Sequence, residues 1–278
     1  MKELFDTVSL KTSKITTKSY STSFSMGIRF LNHKFHNPIY AIYGFVRLGD
    51  EIVDTFHSYN KQKLFQEFQR DVDNAINDRI SLNPILNSFQ HVYHKYGIDR
   101  ELVDLFLNSM EMDLQKKKYD HKGYNDYILG SAEVVGLMCL KVFCEGDHEL
   151  YIKLKPYAMS LGSAFQKINF LRDLNADFHN LGRTYFPNVD LNNFNKMVKR
   201  QIEDDIEKDF KNGLEGIRML PGSARFGVYM AYIYFHGLFT KIRKTAPSKV
   251  MKKRIRISNP RKYLLFFNSY VKFKFNLI

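Results

Sequence analysis

The chain of 278 residues has no tryptophan, few prolines and glycines, and only two cysteines. Cys139 and Cys144 lack the number and spacing of a disulfide framework or a zinc site, which favours a reducing compartment. Seven prolines and fifteen glycines are too few for a β-sandwich with many turns or for a disordered chain. Because 44% of the residues are hydrophobic, the composition predicts a globular protein with a large core.

Long apolar runs are also missing. Residues 1–25 are polar and contain no continuous apolar region of the kind that signal peptides carry. No stretch reaches the roughly 18 to 20 uninterrupted apolar residues that a membrane-spanning helix needs. We therefore expect a cytoplasmic protein that does not cross a bilayer.

Acidic residues are absent from the C-terminal part of the chain. No Asp or Glu follows Glu215, whereas Arg218, Arg225 and twelve Lys or Arg residues from Lys241 onward supply fourteen positive charges. Residues 1–215 are nearly neutral, so the formal charge of +13 is concentrated after them. This asymmetry suggests an anionic partner, such as nucleic acid, anionic lipid or a phosphorylated substrate, with a solvated basic face as the alternative.

Helical periodicity runs through the whole sequence. Apolar residues recur at three- and four-residue intervals in segments 37–56, 60–78 and 99–115, and another helix follows Asn83-Pro84. The first segment has Asn37 as its expected N-cap and Pro38 at the first helical position. Four further helices are predicted at 124–144, 149–179, 192–219 and 222–243. We find no alternating strands, fixed repeat or linker, so we expect one all-α domain over 1–278.

The segment FVRLGDEIVDTF places carboxylates one turn apart in a largely apolar helix. Tyr43, Arg47, Asp50 and Asp54 follow offsets of four, three and four, so they share one narrow polar stripe. A surface edge with an ion pair from Arg47 to Asp50 or Asp54 is one interpretation. By itself this stripe does not require a functional site.

A second polar stripe lies in GSAFQKINFLRDLNAD. Gln166, Asn169, Asp173 and Asp177 follow offsets of three, four and four, while the other helix faces are apolar. Such a helix is hard to expose, so the polar stripe is expected to face a wet cavity inside a helical bundle. Two stripes that face each other would collect four carboxylates around one cavity.

Four clustered carboxylates without matching cations are expensive to desolvate, and a divalent cation would offset this cost. Oxygen ligands without His or Cys suit Mg²⁺, or Mn²⁺, which binds a few carboxylates together with substrate phosphate oxygens. Arg47 and Arg172, next to the acids, could hold the same phosphate. The pattern indicates diphosphate chemistry.

Six segments of the sequence together resemble the squalene and phytoene synthase family, in the family's order and at about its spacings. They are YSTSFSMGIRFL, AIYGFVRLGDEIVD, YILGSAEVVGLM, GSAFQKINFLRDLNAD, GRTYFP and KKRIRISNPRK. The resemblance covers residues from about 19 to 262. It implies an all-α isoprenoid synthase fold, a helical bundle around a central cavity in which two prenyl diphosphates are joined head to head through a cyclopropyl intermediate.

The resemblance also implies roles for individual residues. Four aspartates would bind Mg²⁺: Asp50, Asp54, Asp173 and Asp177. The diphosphates would be contacted by Ser21, Ser23, Arg47 and Arg172. The reaction centre would be lined by Tyr43, Gln166, Asn169 and Tyr185, with Phe24 bordering the lipid pocket. For the two serines, a helix cap within YSTSFS is the alternative.

Two positions depart from the family pattern. Ala176 stands in DLNAD where many relatives have an acid, and Glu133 stands in GSAEVVG where a small residue is usual. Glu133 could face the cavity, pair with a base or contact metal. Neither departure removes a principal ligand.

For the product, we predict phytoene from two geranylgeranyl diphosphates, in carotenoid biosynthesis and without NADPH. The alternative is a dehydrosqualene or squalene synthase that uses farnesyl diphosphate. A non-catalytic assembly or interaction factor is the non-enzymatic alternative, and no recognised nucleic-acid fold supports a nucleic-acid partner. The basic, aromatic segment at about 244–278 is expected to lie on an anionic membrane surface, or else to pack on the bundle.

Overall fold

The computed structural model describes residues 1–115, 119–180, 184–187, 189, 191–258, 265, 269 and 270. For residues 176–180 and 192 it describes the backbone but not the side chains. Every regular element within these ranges is a helix, which confirms the predicted all-α class. The α-helices are α1 (Lys2–Tyr20), α2 (Thr22–Arg29), α3 (His33–Asp54), α4 (Lys61–Asp78), α5 (Pro84–Tyr96), α6 (Arg100–Gln115), α7 (His121–Ile128), α8 (Val134–Cys144), α9 (His148–Asn180), α10 (Lys196–Met219), α11 (Gly222–Arg243) and α12 (Pro247–Val250). A π-helical turn, Leu129–Glu133, joins α7 to α8, and a short 3₁₀ turn, Leu191–Asn193, precedes α10.

The expected start of α3 was wrong. The helix begins at His33, and the side chain of Asn32 caps it by accepting a hydrogen bond from the Lys34 backbone N–H over 3.2 Å. Pro38 therefore lies in the second turn, where it removes one backbone hydrogen bond. Phe35, in the added turn, is fully buried, and its burial offsets that loss.

Helix α1 packs on α3 and α5 through hydroxyl groups rather than apolar side chains. Ser9, Ser13 and Thr17 recur every four residues and are fully buried. Ser9 and Thr17 donate to the carbonyl four residues earlier, and Ser13 lies 2.6 Å from the Ser88 hydroxyl of α5. Small polar side chains thus allow close helix packing without an apolar stripe.

Two clusters of buried apolar residues form the core. The first contains much of α3, α5, α6 and α8, where the Phe45 and Phe89 rings stack with centroids 4.0 Å apart. The second surrounds α9, α10 and α11. Residues of both clusters contribute to the wall of one large cavity.

The π-helical turn lies where α6 approaches closely. A Cβ at Gly130 would come within 2.3 Å of the Leu105 carbonyl oxygen and 2.5 Å of Ser109 Cβ. Only glycine fits this contact without movement of the neighbouring backbone.

The span His121–Cys144, which includes this turn, is long and apolar enough to cross a membrane by length and composition. However, 56% of its most apolar window is buried inside the bundle, and a buried core helix passes the same test.

The first part of the basic C-terminal segment packs on the bundle. Val250, Ile255 and Ile257 are buried in the second cluster, and Lys241 Nζ donates to the Arg256 carbonyl. The prediction of a membrane-binding surface concerns mainly residues after Ser258, most of which lie outside the described residues.

Candidate active site

All of the predicted site residues whose side chains the structure describes line one cavity of about 660 Å³. They are Ser21, Ser23, Phe24, Tyr43, Arg47, Asp50, Asp54, Gln166, Asn169, Arg172, Asp173 and Tyr185. The side chain of Asp177 lies outside the described residues. The two polar stripes of the sequence therefore meet at a single space, as the helical offsets predicted.

Much of the remaining cavity wall is apolar. Side chains of α2, α3, α8, α9, α10, α11 and two connecting segments contribute to it. They include Ile28, Leu31, Ile39, Leu140, Phe143, Leu154, Phe165, Ile217, Leu220 and Phe235. A hydrocarbon chain and a polar diphosphate could thus bind in the same cavity.

Asp50 of α3 lines this cavity, where its negative charge is electrostatically unfavourable. Its pKa is raised to about 8, mainly by burial and then by the neighbouring carboxylate of Asp54, while Arg47 opposes the shift. Asp54 is the last residue of α3 and is exposed. The fold therefore holds one disfavoured carboxylate beside a second one, an arrangement that a bound cation would stabilise.

Arg47 makes an ion pair with Glu51, and not with Asp50 or Asp54 as the surface-edge interpretation supposed. Glu51 is buried one turn further along α3, so it holds the guanidinium from the core side. The Tyr20 ring centroid lies 4.3 Å from the guanidinium carbon of Arg47. The Nε atom of Arg47 is buried and has no hydrogen-bond partner among the described residues.

On α9, Asn169 Nδ2 donates to Gln166 Oε1 over 3.4 Å. The Asn169 Oδ1 atom is buried without a partner in the described part of the chain. Arg172 Nε lies 3.1 Å from both carboxylate oxygens of Asp173. A second arginine, Arg254, binds Asp173 Oδ1 through its Nε atom at 2.7 Å.

Ser21 caps a helix and also lies at the cavity, where a diphosphate contact is predicted. Its side chain caps α2 by accepting from the Phe24 backbone N–H over 3.2 Å, and it also lines the cavity. Its hydroxyl bonds with Tyr43, whose pKa burial raises. The Phe24 and Tyr43 rings stack with centroids 4.8 Å apart, so α2 and α3 form one continuous wall.

The donor atoms fit a hard divalent cation. Asp50 and Asp54 offer carboxylate oxygens one turn apart, and the buried Asn169 Oδ1 lacks a partner among the described residues. The Arg47 Nε group, which also lacks one there, is a hydrogen-bond donor suited to a diphosphate oxygen rather than to a metal. Among the described side chains, no group of three or more His, Cys, Asp and Glu residues is gathered for metal binding. Such a cation would thus need further oxygen ligands from water or a bound diphosphate.

Glu133 points away from the site. Among the described residues, Ser131 and Ala132 of the same π-helical turn line the cavity, and Glu133 does not. Its carboxyl group lies near Asp209 and Lys167, and burial, with a further contribution from Asp209, raises its pKa to about 7. Lys167 is the nearby base, but its ion pairs are with Asp205 and Asp209.

Sequence reasoning missed two residues of this site. Arg254 lies in the KKRIRISNPRK segment. Because this segment contains many Lys and Arg residues, the sequence does not indicate which of them reaches the cavity. Glu51 stands beside Asp50 but on the buried side of α3, so a stripe defined by cavity-facing offsets does not include it.

Comparisons with known proteins show the family and the fold. The squalene/phytoene synthase family profile matches residues 17–261. The 4,4'-diapophytoene synthase of Staphylococcus haemolyticus is 25% identical, over 92% of this chain and 94% of its own. The phytoene synthase of Cereibacter sphaeroides is 24% identical, over 86% of this chain and 72% of its own.

Solved structures share the fold. A dehydrosqualene synthase in complex with a ligand superposes with a TM-score of 0.83 at 18% identity, over 97% of this chain and 98% of that chain. A squalene synthase from Alicyclobacillus acidocaldarius superposes with a TM-score of 0.74 at 20% identity, over 85% and 93% of the two chains. The expected isoprenoid synthase fold is thereby confirmed, and the profile match over most of the chain shows that the protein belongs to the squalene/phytoene synthase family.

Proposed function

We propose that the protein joins two geranylgeranyl diphosphates head to head, through a cyclopropyl diphosphate, to form phytoene. The observation that carries the proposal is the meeting of two carboxylate-bearing helices, α3 and α9, at one largely apolar cavity. Each condensation releases two diphosphates and two protons, one when the cyclopropane ring closes and one when the final double bond forms, and it consumes no hydride. NADPH is therefore not needed.

The polar residues of α3 and α9 bind and orient the diphosphates. Arg47, held by Glu51, and Arg172 and Arg254, both beside Asp173, supply guanidinium groups at the cavity wall. Ser21 and Ser23 add hydroxyl groups near the start of α2. These donors stabilise the negative charge that grows on the leaving diphosphate.

Asp50, Asp54 and Asp173, with Asp177, would hold Mg²⁺ or Mn²⁺. The metal would neutralise diphosphate charge and thereby assist departure of the leaving group. Arg172 and Arg254 now neutralise Asp173, so binding of metal and diphosphate requires them to turn from the carboxylate towards phosphate oxygens.

The apolar and aromatic wall protects the carbocation that ionisation creates. Aromatic faces stabilise a cation electrostatically, and exclusion of water prevents its capture as an alcohol. Phe24, Tyr43, Phe165, Phe170, Tyr185 and Phe235 line this space.

The donor length is supported by the phytoene synthases among the similar proteins. Those of Cereibacter sphaeroides and tomato align with 86% and 91% of this chain. A specific observation favours farnesyl diphosphate as the second candidate: the match to the diapophytoene synthase extends over 94% of that protein.

A donor-choice assay tests the proposal. The purified protein is incubated with Mg²⁺ and both geranylgeranyl and farnesyl diphosphate, with and without NADPH, and the extracted hydrocarbons are identified by mass and ultraviolet spectrum. Phytoene should dominate, and NADPH should not change it. A dominant thirty-carbon product would overturn the donor assignment, and the absence of hydrocarbon from either donor would support a non-catalytic role.

A further inference from the structure

A buried carboxylate on α6 collects tyrosine hydroxyls beside the cavity. Asp113 is 6% exposed. Its Oδ2 atom accepts from the Tyr127 hydroxyl over 2.6 Å, and its Oδ1 atom accepts from Tyr119 over 2.9 Å and from Tyr185 over 3.4 Å. The three tyrosines belong to different parts of the chain: the segment before α7, α7 itself and the segment after α9. One carboxylate thus joins separate segments at this wall.

The rings of these tyrosines form a compact aromatic group with Phe170 of α9. The Tyr185 ring stacks on Phe170 with centroids 4.1 Å apart and an interplanar angle of 11°. Tyr127 lies 5.2 Å from Tyr185 and 5.9 Å from Phe170. Tyr127, Phe170 and Tyr185 line the cavity, whereas Asp113 and Tyr119 are not among the described lining residues.

The hydroxyl groups are therefore anchored behind the wall, and the rings form its surface. Asp113 also lies near the predicted metal site, because its charge contributes to the raised pKa of Asp50. A carboxylate that is nearly inaccessible needs hydrogen-bond donors, and these phenols supply them. Removing that acceptor would leave the phenol groups without their anchor.

We propose that Asp113 is a positioning residue that holds the Tyr127 and Tyr185 rings towards the reacting carbocation and their hydroxyl oxygens away from it. This inference rests on the proposed head-to-head condensation. A ring face stabilises a cation without bonding to it. A phenol oxygen or a water molecule admitted by a displaced ring would instead capture the cation, forming an ether or an alcohol with loss of a proton.

Asp113→Asn and Tyr127→Phe test the proposal through the distribution of products. Both substitutions keep the size of the side chain and weaken the anchor. Prenyl alcohols and released cyclopropyl diphosphate, relative to hydrocarbon, should rise at least fivefold in each variant. An unchanged ratio in both variants, at whatever total rate, would overturn the proposal.

Asp209→Asn is the matched control. Asp209 is a partly buried carboxylate on α10 that accepts hydrogen bonds from Lys167 and Ser163, and it does not line the cavity among the described residues. Its substitution should lower stability and leave the product ratio unchanged. An equal rise in this variant would mean that any disturbed buried carboxylate has the effect, which contradicts a specific role for Asp113.

A double-mutant cycle in urea unfolding tests the anchor without any activity. The effects of Asp113→Asn and Tyr127→Phe on the unfolding midpoint should be clearly non-additive, because both act on the same hydrogen bond. Additive effects would overturn the proposed anchor. If the unaltered protein forms no hydrocarbon, the proposed function fails. The double-mutant cycle would still show whether Asp113 and Tyr127 are coupled in the cavity wall.

Discussion

Asp50 and Asp173 differ in how the fold compensates their charge. Asp50 has a raised pKa near Asp54, whereas Asp173 lies beside Arg172 and Arg254. Both face the cavity and neither is needed to fill the core, so their role in the proposed reaction can be removed without unfolding the protein.

We predict that Asp50→Asn and Asp173→Asn each lower turnover by at least about 100-fold, because a charge that stabilises the transition state is lost. Hydrocarbon formation is measured under saturating Mg²⁺, and circular dichroism and thermal melting should show an intact fold. Asp71→Asn, at an exposed carboxylate on α4, is the control and should remain active. Near-normal product formation by either cavity variant would refute the proposed metal site.

Glu133 provides a pH-dependent prediction away from that site. Its pKa is about 7 in the fold, against a usual value of 4.5, so the folded protein keeps a proton that the unfolded chain releases between these pH values. The free energy of unfolding therefore falls as pH rises from 4.5 to about 7, and the loss stays constant at higher pH. Glu133→Gln should match the parent near pH 4.5 and exceed its stability by roughly 3 kcal/mol at pH 8.

Urea denaturation at several pH values measures this difference. Glu101→Gln, at an exposed position near the start of α6, should show no such trend. A Glu133→Gln advantage that is independent of pH would contradict the raised pKa.

Among the structural elements, the π-helical turn depends most clearly on one small residue. Gly130→Ala should lower the free energy of unfolding by about 1 to 3 kcal/mol, because the new methyl group meets the α6 backbone. Gly222→Ala is the matched control, since nothing lies within 4 Å of its Cβ position. Chemical denaturation compares the two, and equal stability of both variants would show that α6 and the turn adjust freely.

The sequence predicted most helices because their apolar residues recur at helical spacing. The segments 60–78 and 99–115 match α4 and α6 to within a residue. Helix α1 was not predicted, since its buried face is made of Ser9, Ser13 and Thr17. Asn37 was chosen as a cap from local chemistry alone, whereas Phe35 extends the helix through burial that only tertiary structure supplies.

The cavity-facing stripes were predictable because residues three and four apart share a helix face. The supporting contacts were not, because they join distant positions. Arg254 reaches Asp173 from a segment 81 residues away, and Asp113 meets Tyr185 across 72 positions. No local pattern specifies such pairs.

At the scale of the whole molecule, the basic C-terminal part bears on where the protein works. Because the proposed hydrocarbon product would have to reach a lipid phase, we predict salt-sensitive binding to vesicles that contain anionic phospholipid, which truncation after Ser258 weakens. Co-sedimentation with anionic and neutral vesicles measures it, and the truncated protein should retain its helical content. Binding that ignores both lipid charge and salt would count against peripheral membrane association.

The most direct test of the account follows the order of products within the first turnovers. The protein is mixed with labelled geranylgeranyl diphosphate and Mg²⁺, quenched at increasing times, and the extracts are separated into diphosphates and hydrocarbons. We predict that a forty-carbon cyclopropyl diphosphate rises and then falls as phytoene accumulates, and that prior chelation of the metal abolishes both until Mg²⁺ or Mn²⁺ is restored. Phytoene formation at full rate after exhaustive chelation, or a forty-carbon product joined head to tail, would contradict the account.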